Sequence, residues 1–280
     1  MLGVGGTLSA EDQRGYDEFC QFLATTCGIV LGSNKQYLVN SRLNKLVEDN
    51  GISSLTELVT RLKRGHDEKL YVAVVDAMTT NETSWFRDGY PYDFIADQIL
   101  PGALATNKAL RIWSAASSSG QEPYSLSIII EEFIKNKGSL LRPVKIIATD
   151  ISRTVLNDAK EGVFPQMSLD RGMSPARINI NFEPHNEMWK LKSSIKQRID
   201  FREFNLLENY AALGKFDVIF CRNVLIYFSE KTKKDIFSRI AGALNPGGYL
   251  ILGGAESIAN YTEAFDVVRL KNGLVYQLKE

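Results

Sequence analysis

The apolar run Phe216-Asp217-Val218-Ile219-Phe220-Cys221 leads directly into Arg222-Asn223-Val224-Leu225-Ile226-Tyr227-Phe228. A guanidinium, a carboxamide and a phenol placed just after a buried strand supply hydrogen bonds to a polar ligand rather than filler for a core. Ala148-Thr149-Asp150 ends another apolar run, and an acid at that point accepts both hydroxyls of a ribose; capping of a helix that opens near Ser152 is the competing account. Asn205 follows an apparent strand over Ile199 to Phe204. Its amide offers the donor and acceptor that an adenine edge requires, with a plain turn residue as the alternative. The stretch Thr79-Thr80-Asn81-Glu82-Thr83-Ser84-Trp85-Phe86-Arg87-Asp88 is dense in polar groups. Arg87, beside two aromatic residues, suits bidentate capture of a carboxylate in a site from which the rings exclude water. Pairing of Arg87 with Asp88 or Glu82 would make it structural instead.

These groups need elements that bring them together. In open α/β sheets a ligand sits outside the carboxyl ends of the strands, which is where each of the strand-end groups falls. A strand from Leu110 to Ser114 gives way to small residues from Ser114 through Gly120, and a helix opens near Gln121 with Pro123 in its first turn. Small side chains let the backbone approach a ligand, and the free amides of the helix start favour an anionic group. The loop is therefore suited to a nucleotide-like cofactor, an ordinary buried strand-to-helix connection being the other reading. It is neither the G-x-G-x-x-G dinucleotide fingerprint nor a P-loop, since no G-K-[ST] follows.

Further strands are predicted at Val144 to Thr149, Phe216 to Cys221 and Tyr249 to Gly253, and a closing hairpin at Ala264 to Leu270 and Leu274 to Leu278 through Lys271-Asn272-Gly273. The alternation with helices predicts a doubly wound, mostly parallel α/β sheet over residues 87–280. Between Gly172 and Gly214 there is no glycine. Ile178 to Phe182, Met188 to Leu191 and Ile195 to Phe201 alternate like short strands, which predicts a small antiparallel excursion over about residues 176–203. Residues 1–86 carry helical periodicity, with Ser9 as a cap and Tyr16, Phe19, Leu23, then Leu38, Val39, Leu43, Leu46 and Val47 at helical steps. The second of these helices bears Lys35, Arg42 and Lys45 with no acidic residue between Asn34 and Val47. That face is either simply solvated or a docking surface for an acidic partner.

The 280 residues carry 33 Lys plus Arg against 33 Asp plus Glu, so global charge does not favour nucleic acid or an anionic membrane as partner. No apolar run approaches a membrane span, and Met1-Leu2-Gly3-Val4-Gly5-Gly6 lacks a signal-peptide pattern; a cytoplasmic protein, acting as a monomer, is expected. Three cysteines without a C-x-x-C pair and only two histidines, His66 and His185, argue against a zinc site or a Ser-His-Asp hydrolase, so no metal is expected.

Taken in order, Thr80-Asn81-Glu82-Thr83 with Phe86-Arg87, Trp113-Ser114-Ala115-Ala116 with Ser119 to Ser125, Ala148 to Ser152, Asn205-Leu206, Cys221 to Phe228 and Pro246-Gly247-Gly248-Tyr249-Leu250 resemble the CheR-type chemotaxis receptor methyltransferases over nearly the whole chain. The resemblance implies an N-terminal helical domain, a class I S-adenosylmethionine-dependent methyltransferase sheet and an inserted three-stranded subdomain. It also implies methyl transfer to glutamate side chains on the cytoplasmic helices of chemoreceptors, with S-adenosyl-L-homocysteine as product. By it, Asn81, Thr83, Arg87, Glu122, Asp150, Asn205, Leu206, Arg222 and Asn223 line the cofactor site, Arg87 and Tyr227 stand nearest the transferred methyl, and Lys35, Arg42 and Lys45 face the acidic receptor helices. In some members the inserted subdomain clips a receptor's C-terminal pentapeptide through a glycine-bearing loop, and the glycine-free segment here counts against that tether. A regulatory protein is a further possible partner. Two rivals are a methyltransferase for another substrate and a cofactor-binding scaffold without turnover. The first is opposed by Asn223-Val224-Leu225-Ile226-Tyr227, which lacks the Pro-Pro that precedes the aromatic in amino-methyltransferases.

Overall fold

The computed structural model describes residues 10–137 and 142–280, so the Ser9 cap and the Met1–Gly6 stretch lie outside the described residues. Four amphipathic helices come first: α1 (Ala10–Thr26), α2 (Gln36–Asp49), α3 (Leu55–Arg64) and α4 (Glu68–Met78). The helix α3 shows why the sequence stops and starts where it does. Ser54 accepts a hydrogen bond from the Glu57 amide at its start, and Gly65 closes its end in the left-handed region at φ 68°. The apolar stripes meet in one core in which Phe19, Leu23, Val39, Leu43, Leu58 and Val74 are fully buried, each contributing about 1.5–3 kcal/mol.

A helical stretch follows in three parts, α5 (Tyr90–Phe94), a π-helical turn over Ile95–Ile99 and α6 (Leu100–Thr106). The alternating part then runs β1 (Leu110–Ala115), α7 (Gln121–Lys137), β2 (Val144–Asp150), α8 (Arg153–Glu161), β3 (Val163–Phe164), α9 (Gln166–Leu169), α10 (Pro175–Asn181), β4 (Phe182–His185), β5 (Met188–Leu191), α11 (Ser193–Lys196), β6 (Ile199–Glu203), β7 (Phe216–Cys221), α12 (Glu230–Ala243), β8 (Leu244–Leu252), β9 (Phe265–Arg269) and β10 (Leu274–Leu278). The large sheet has the order β6-β2-β1-β7-β8-β10-β9. β6, β2, β1, β7 and β8 pair in parallel, and β10 and β9 close the edge as an antiparallel hairpin. The strand order reverses between β1 and β7, so their carboxyl ends, Ala115 and Cys221 in register, flank the crevice of a doubly wound sheet.

The second sheet, β3-β5-β4, is the small antiparallel excursion, but two of its expected segments lie elsewhere. Ile178 to Phe182 is not a strand: Pro175–Asn181 is helical because Ser174 caps the Arg177 amide, Pro175 sits in the first turn and Asn181 donates back to the Arg177 carbonyl. The Ile-Asn-Ile-Asn alternation imitates a strand, while the Ser-Pro start decides the outcome. Ile199–Glu203 joins β2 as an edge of the large sheet rather than the excursion, and Val163–Phe164, outside 176–203, supplies the missing strand. β4 and β5 join through Asn186 and Glu187 alone, with Asn186 at φ 53°.

The excursion grips the segment that links the helical domain to the sheet. Trp85 is buried among Tyr124, Phe164 and Phe182 with edge-to-face and stacked rings, its amide donates to the Arg171 carbonyl, and Arg171 also pairs with Glu82. Gly172 stands at φ 115°, where a Cβ would lie 2.0 Å from the Trp85 carbonyl oxygen. Gly172→Ala is therefore expected to lower stability by about 2–3 kcal/mol, read as a midpoint shift in chemical denaturation. Gly102→Ala, with open space around the added methyl in α6, should be neutral or slightly stabilising. Equal midpoints for the two variants would mean that this close approach does not hold the linker.

Candidate active site

A cleft opens where the helical domain meets the carboxyl ends of β1, β2, β6 and β7. Its walls bring together Asn81, Thr83, Arg87, Glu122, Asp150, Asn205, Leu206, Arg222, Asn223 and Tyr227. Each strand end contributes for a local reason. After β1 the chain turns through Ala116 at φ 56° and Ser118 at φ 50°, conformations disfavoured for residues with a Cβ and typical of sites held under local strain. The turn is held by the Ser117 amide on the Thr149 carbonyl at 2.8 Å, the Ser118 amide on Asp150 Oδ2 at 2.8 Å and the Ser118 hydroxyl on the Asn81 carbonyl at 2.8 Å.

Asp150 accepts the Ser152 amide on its other oxygen at 3.0 Å. It thus anchors the turns after both strands while lining the cleft, and the cap of α8 itself is Ser152, which accepts the Val155 amide. Burial pushes its carboxyl above the ordinary value, and the Ser152 and Ser118 amides pull it partly back. Glu122, in the first turn of α7, is likewise raised by burial and drawn down by Arg222 and the Ser114 hydroxyl, which donates to it at 2.7 Å. Arg222, whose side chain is 2 % exposed, reaches Glu122 at 3.2 Å, Asp88 at 2.5 Å and the Arg87 carbonyl at 2.9 Å. Burial works against its charge, but Glu122, Tyr92 and Asp88 outweigh it and hold the guanidinium ionised.

Asp88 is thus engaged by Arg222 and Glu82 by Arg171, which removes both structural partners considered for Arg87. Among the described residues no hydrogen bond or ion pair engages the Arg87 guanidinium or the Tyr227 hydroxyl, although both residues line the cleft. The Ser117 hydroxyl is buried there without a partner. A ligand with ribose hydroxyls, an amine, a sulfonium and a carboxylate fits this donor set: two buried carboxylates answer hydroxyls and positive charge, and a free guanidinium answers the carboxylate.

Two expectations change. Arg42 does not stand free on a docking face; its guanidinium donates to the carbonyls of Met78 and Thr79 and to the Thr80 hydroxyl, at 2.7, 3.3 and 2.9 Å. It ties α2 to the end of α4 and walls the cleft, because its long side chain reaches across the helix packing. Lys35 and Lys45 remain exposed. Asn205 lines the cleft, but its amide is engaged within the protein, donating to the Thr26 carbonyl at 2.6 Å and accepting the Leu207 amide at 3.0 Å. Leu206 beside it is an apolar wall, 7 % exposed.

Glu256 was not singled out by the sequence reading. It follows β8 and binds the backbone amides of Asn223, Val224, Leu225 and Gly253. The rule of inspecting residues beyond each strand's carboxyl end points to it when extended to this fourth strand.

A doubly wound sheet with an acid after its second strand, a small-residue turn after its first and a cleft at the switch point is the plan of a class I S-adenosylmethionine-dependent methyltransferase. A family model described as CheR methyltransferase, all-alpha domain, matches residues 14–79, and one described as CheR methyltransferase, SAM binding domain, matches residues 81–274. The chain belongs to the CheR methyltransferase family. It is 52% identical over 270 residues to chemotaxis protein methyltransferase 1 of Pseudomonas aeruginosa, covering 94% of this chain and 97% of that one. It is 48% identical over 273 residues to chemotaxis protein methyltransferase 1 of Vibrio cholerae, covering 97% and 99%. The Salmonella typhimurium chemotaxis protein methyltransferase is 31% identical over 285 residues, covering 100% and 95%.

Asp150→Ala is expected to weaken S-adenosylmethionine binding by about 1.5–3 kcal/mol, the range for a hydrogen bond to a charged group. Titration calorimetry on the folded variant measures it, and an unchanged affinity would leave Asp150 a purely structural anchor.

Proposed function

We propose that this protein methylates glutamate side chains on the cytoplasmic helices of chemoreceptors, working in the cytoplasm as a monomer, with Arg87 and Tyr227 at the transfer centre. The observation that carries the reading is that these two side chains line the cleft with no hydrogen-bond or ion-pair partner among the described residues, while the charged groups around them are engaged.

The acceptor carboxylate has an unperturbed pKa near ~4.3 and is ionised at neutral pH, so no general base is required. S-adenosylmethionine, when bound, supplies an electrophilic methyl group and leaves as S-adenosylhomocysteine. The protein's task is positioning and the exclusion of water. Arg87 holds a carboxylate in the cleft through two parallel N–H donors, and the Tyr227 hydroxyl donates to the acceptor oxygen. Arg222 neutralises the buried Glu122 and keeps that wall fixed. Cys27, Ile29, Leu31 and Leu38 of the helical domain form the apolar wall that keeps water out.

Lys35 caps the start of α2 without a side-chain capping bond, where the first turn has no acidic residue. A cation at a helix N-terminus opposes the helix dipole, so its position supports recognition rather than stability. Lys35 and Lys45 together would meet an acidic receptor helix.

Incubation of labelled S-adenosylmethionine with receptor-containing membranes should yield base-labile methyl esters; cofactor binding without label transfer would instead mark a non-catalytic scaffold. Tyr227→Phe should lower kcat by ~10-fold or more, equivalent to about 1.4 kcal/mol, with folding and cofactor affinity barely changed. Normal turnover in that variant would remove the tyrosine from the transfer centre. Charge reversal at Lys35 and Lys45 should slow receptor methylation most at low salt, since exposed charges are screened within ~10 Å at ordinary ionic strength. The same rate as wild type at low salt would leave that face simply solvated.

A further inference from the structure

We infer that Glu256 is a positioning residue for methyl transfer, resting on the reading of Tyr227 given above: its single carboxylate sets the backbone course from the end of β7 to Tyr227. Oε2 accepts the amides of Asn223 at 2.6 Å and Gly253 at 2.9 Å, and Oε1 accepts those of Val224 at 3.1 Å and Leu225 at 2.8 Å. An ionised carboxylate offers about four lone-pair sites, and all are matched by backbone donors. Three of the four amides are consecutive, a concave nest of N–H groups that an anion fills.

The nest exists because the chain is bent there. Asn223 takes φ 58°, a left-handed conformation that Asn tolerates better than most residues yet still at some energetic cost. Without Glu256 the amides of a half-buried turn would lose their acceptor together. The Leu225 amide begins the short 3₁₀ turn Leu225–Tyr227, whose far end is held by the Val30 amide on the Tyr227 carbonyl at 2.9 Å. The phenol is thus placed from both sides, by Glu256 from the sheet and by Val30 from the helical domain. The chain after β8 is fitted to the same purpose. A Cβ at Gly253 would stand 2.6 Å from the Asn223 amide nitrogen Nδ2 and 2.9 Å from Glu256 Oε2, so only glycine lets these groups converge. Glu256 itself is not among the residues that line the cleft. Its influence on the reaction is therefore exerted through Asn223 and Tyr227.

Glu256→Gln keeps the shape but puts an NH₂ group where two amides need an acceptor. In the cofactor-free full-length protein, hydrogen exchange at the amides of residues 223–225 should quicken ~10-fold or more, with exchange in α1 and β1 unchanged. In receptor methylation kcat should fall ~10-fold or more. Combined with Tyr227→Phe, the same substitution should lower kcat by less than ~3-fold further, because a displaced phenol and a missing hydroxyl remove the same interaction. Wild-type exchange at residues 223–225 would overturn the inference, as would an equal fold-loss in the two backgrounds, which marks general destabilisation. Should Glu256→Gln fail to fold, Glu256→Asp, which keeps the charge but withdraws it by one methylene, is read by the same measurements. A wild-type protein that transfers no methyl to receptors would defeat the receptor reading while the exchange result still decides the role of Glu256.

Discussion

The buried guanidinium of Arg222 is the constraint on which the site depends. It lies at the end of β7 and reaches Glu122 at the start of α7, and it takes hold of the linker through the Arg87 carbonyl and Asp88. Three segments far apart in the chain therefore converge on one charge. Such a cluster is a poor source of net stability, because the desolvation of its members offsets most of their attraction; removal of one member, by contrast, leaves a buried charge uncompensated and costs about 3–5 kcal/mol. Its value here is geometric. With Asp88 claimed by Arg222, the adjacent Arg87 forms no ion pair among the described residues, although Glu122 feels its charge.

The same logic recurs at Asp150 and Glu256. In both, a carboxylate after a strand is directed onto backbone amides of a neighbouring turn. Backbone donors are fixed by the chain, so an acid bound to several of them has little freedom, and the turn in return is held in a conformation it would not keep alone. The non-glycine residues Ala116, Ser118 and Asn223 with positive φ all lie on turns braced in this way. In the proposed reaction, whose nucleophile is already ionised, orientation matters above all, and turns braced by carboxylates supply it.

How much of this was legible in the sequence depends on how local the cause is. The strand at Phe216–Cys221 and the hairpin of Phe265–Arg269 with Leu274–Leu278 appear where apolar runs and turn residues place them, because burial on both faces or a tight turn leaves a plain pattern. Ile178 to Phe182 misled because two-residue alternation in so short a segment is weaker than a Ser-Pro helix start. The chemistry of Arg42 and Asn205 suits the roles their types suggest, but each is engaged by a carbonyl from a distant element, Met78 in one case and Thr26 in the other. No local pattern announces such a partner. Glu256 is inconspicuous in the sequence for the converse reason, since an acid after Gly253-Gly254-Ala255 resembles an ordinary loop residue and only the fold brings the amides of β7's exit onto it.

The cleft is also a seam between the helical core and the cores of the sheet and excursion. Its helical wall is joined to the sheet by Asn205 on the Thr26 carbonyl and by the Val30 amide on the Tyr227 carbonyl. Its linker wall is tied to the excursion through Gly172 against Trp85, the Arg171–Glu82 pair and the Arg177 guanidinium 4.0 Å from the Phe86 ring centre. Phe86 immediately precedes Arg87 and itself stands at φ 48°. Arg177 further forks onto Glu132 of α7 at 2.8 and 2.9 Å, so the excursion, the linker and the helix that carries Glu122 share one set of contacts. The two groups assigned to the transfer centre are therefore held by different sets of neighbours, Arg87 through Arg222 and the excursion's grip on the linker, Tyr227 through Glu256 and the helical domain. Their mutual placement depends on both sets of ties, so the proposed transfer, which asks for no base, still draws on the whole chain around the cleft.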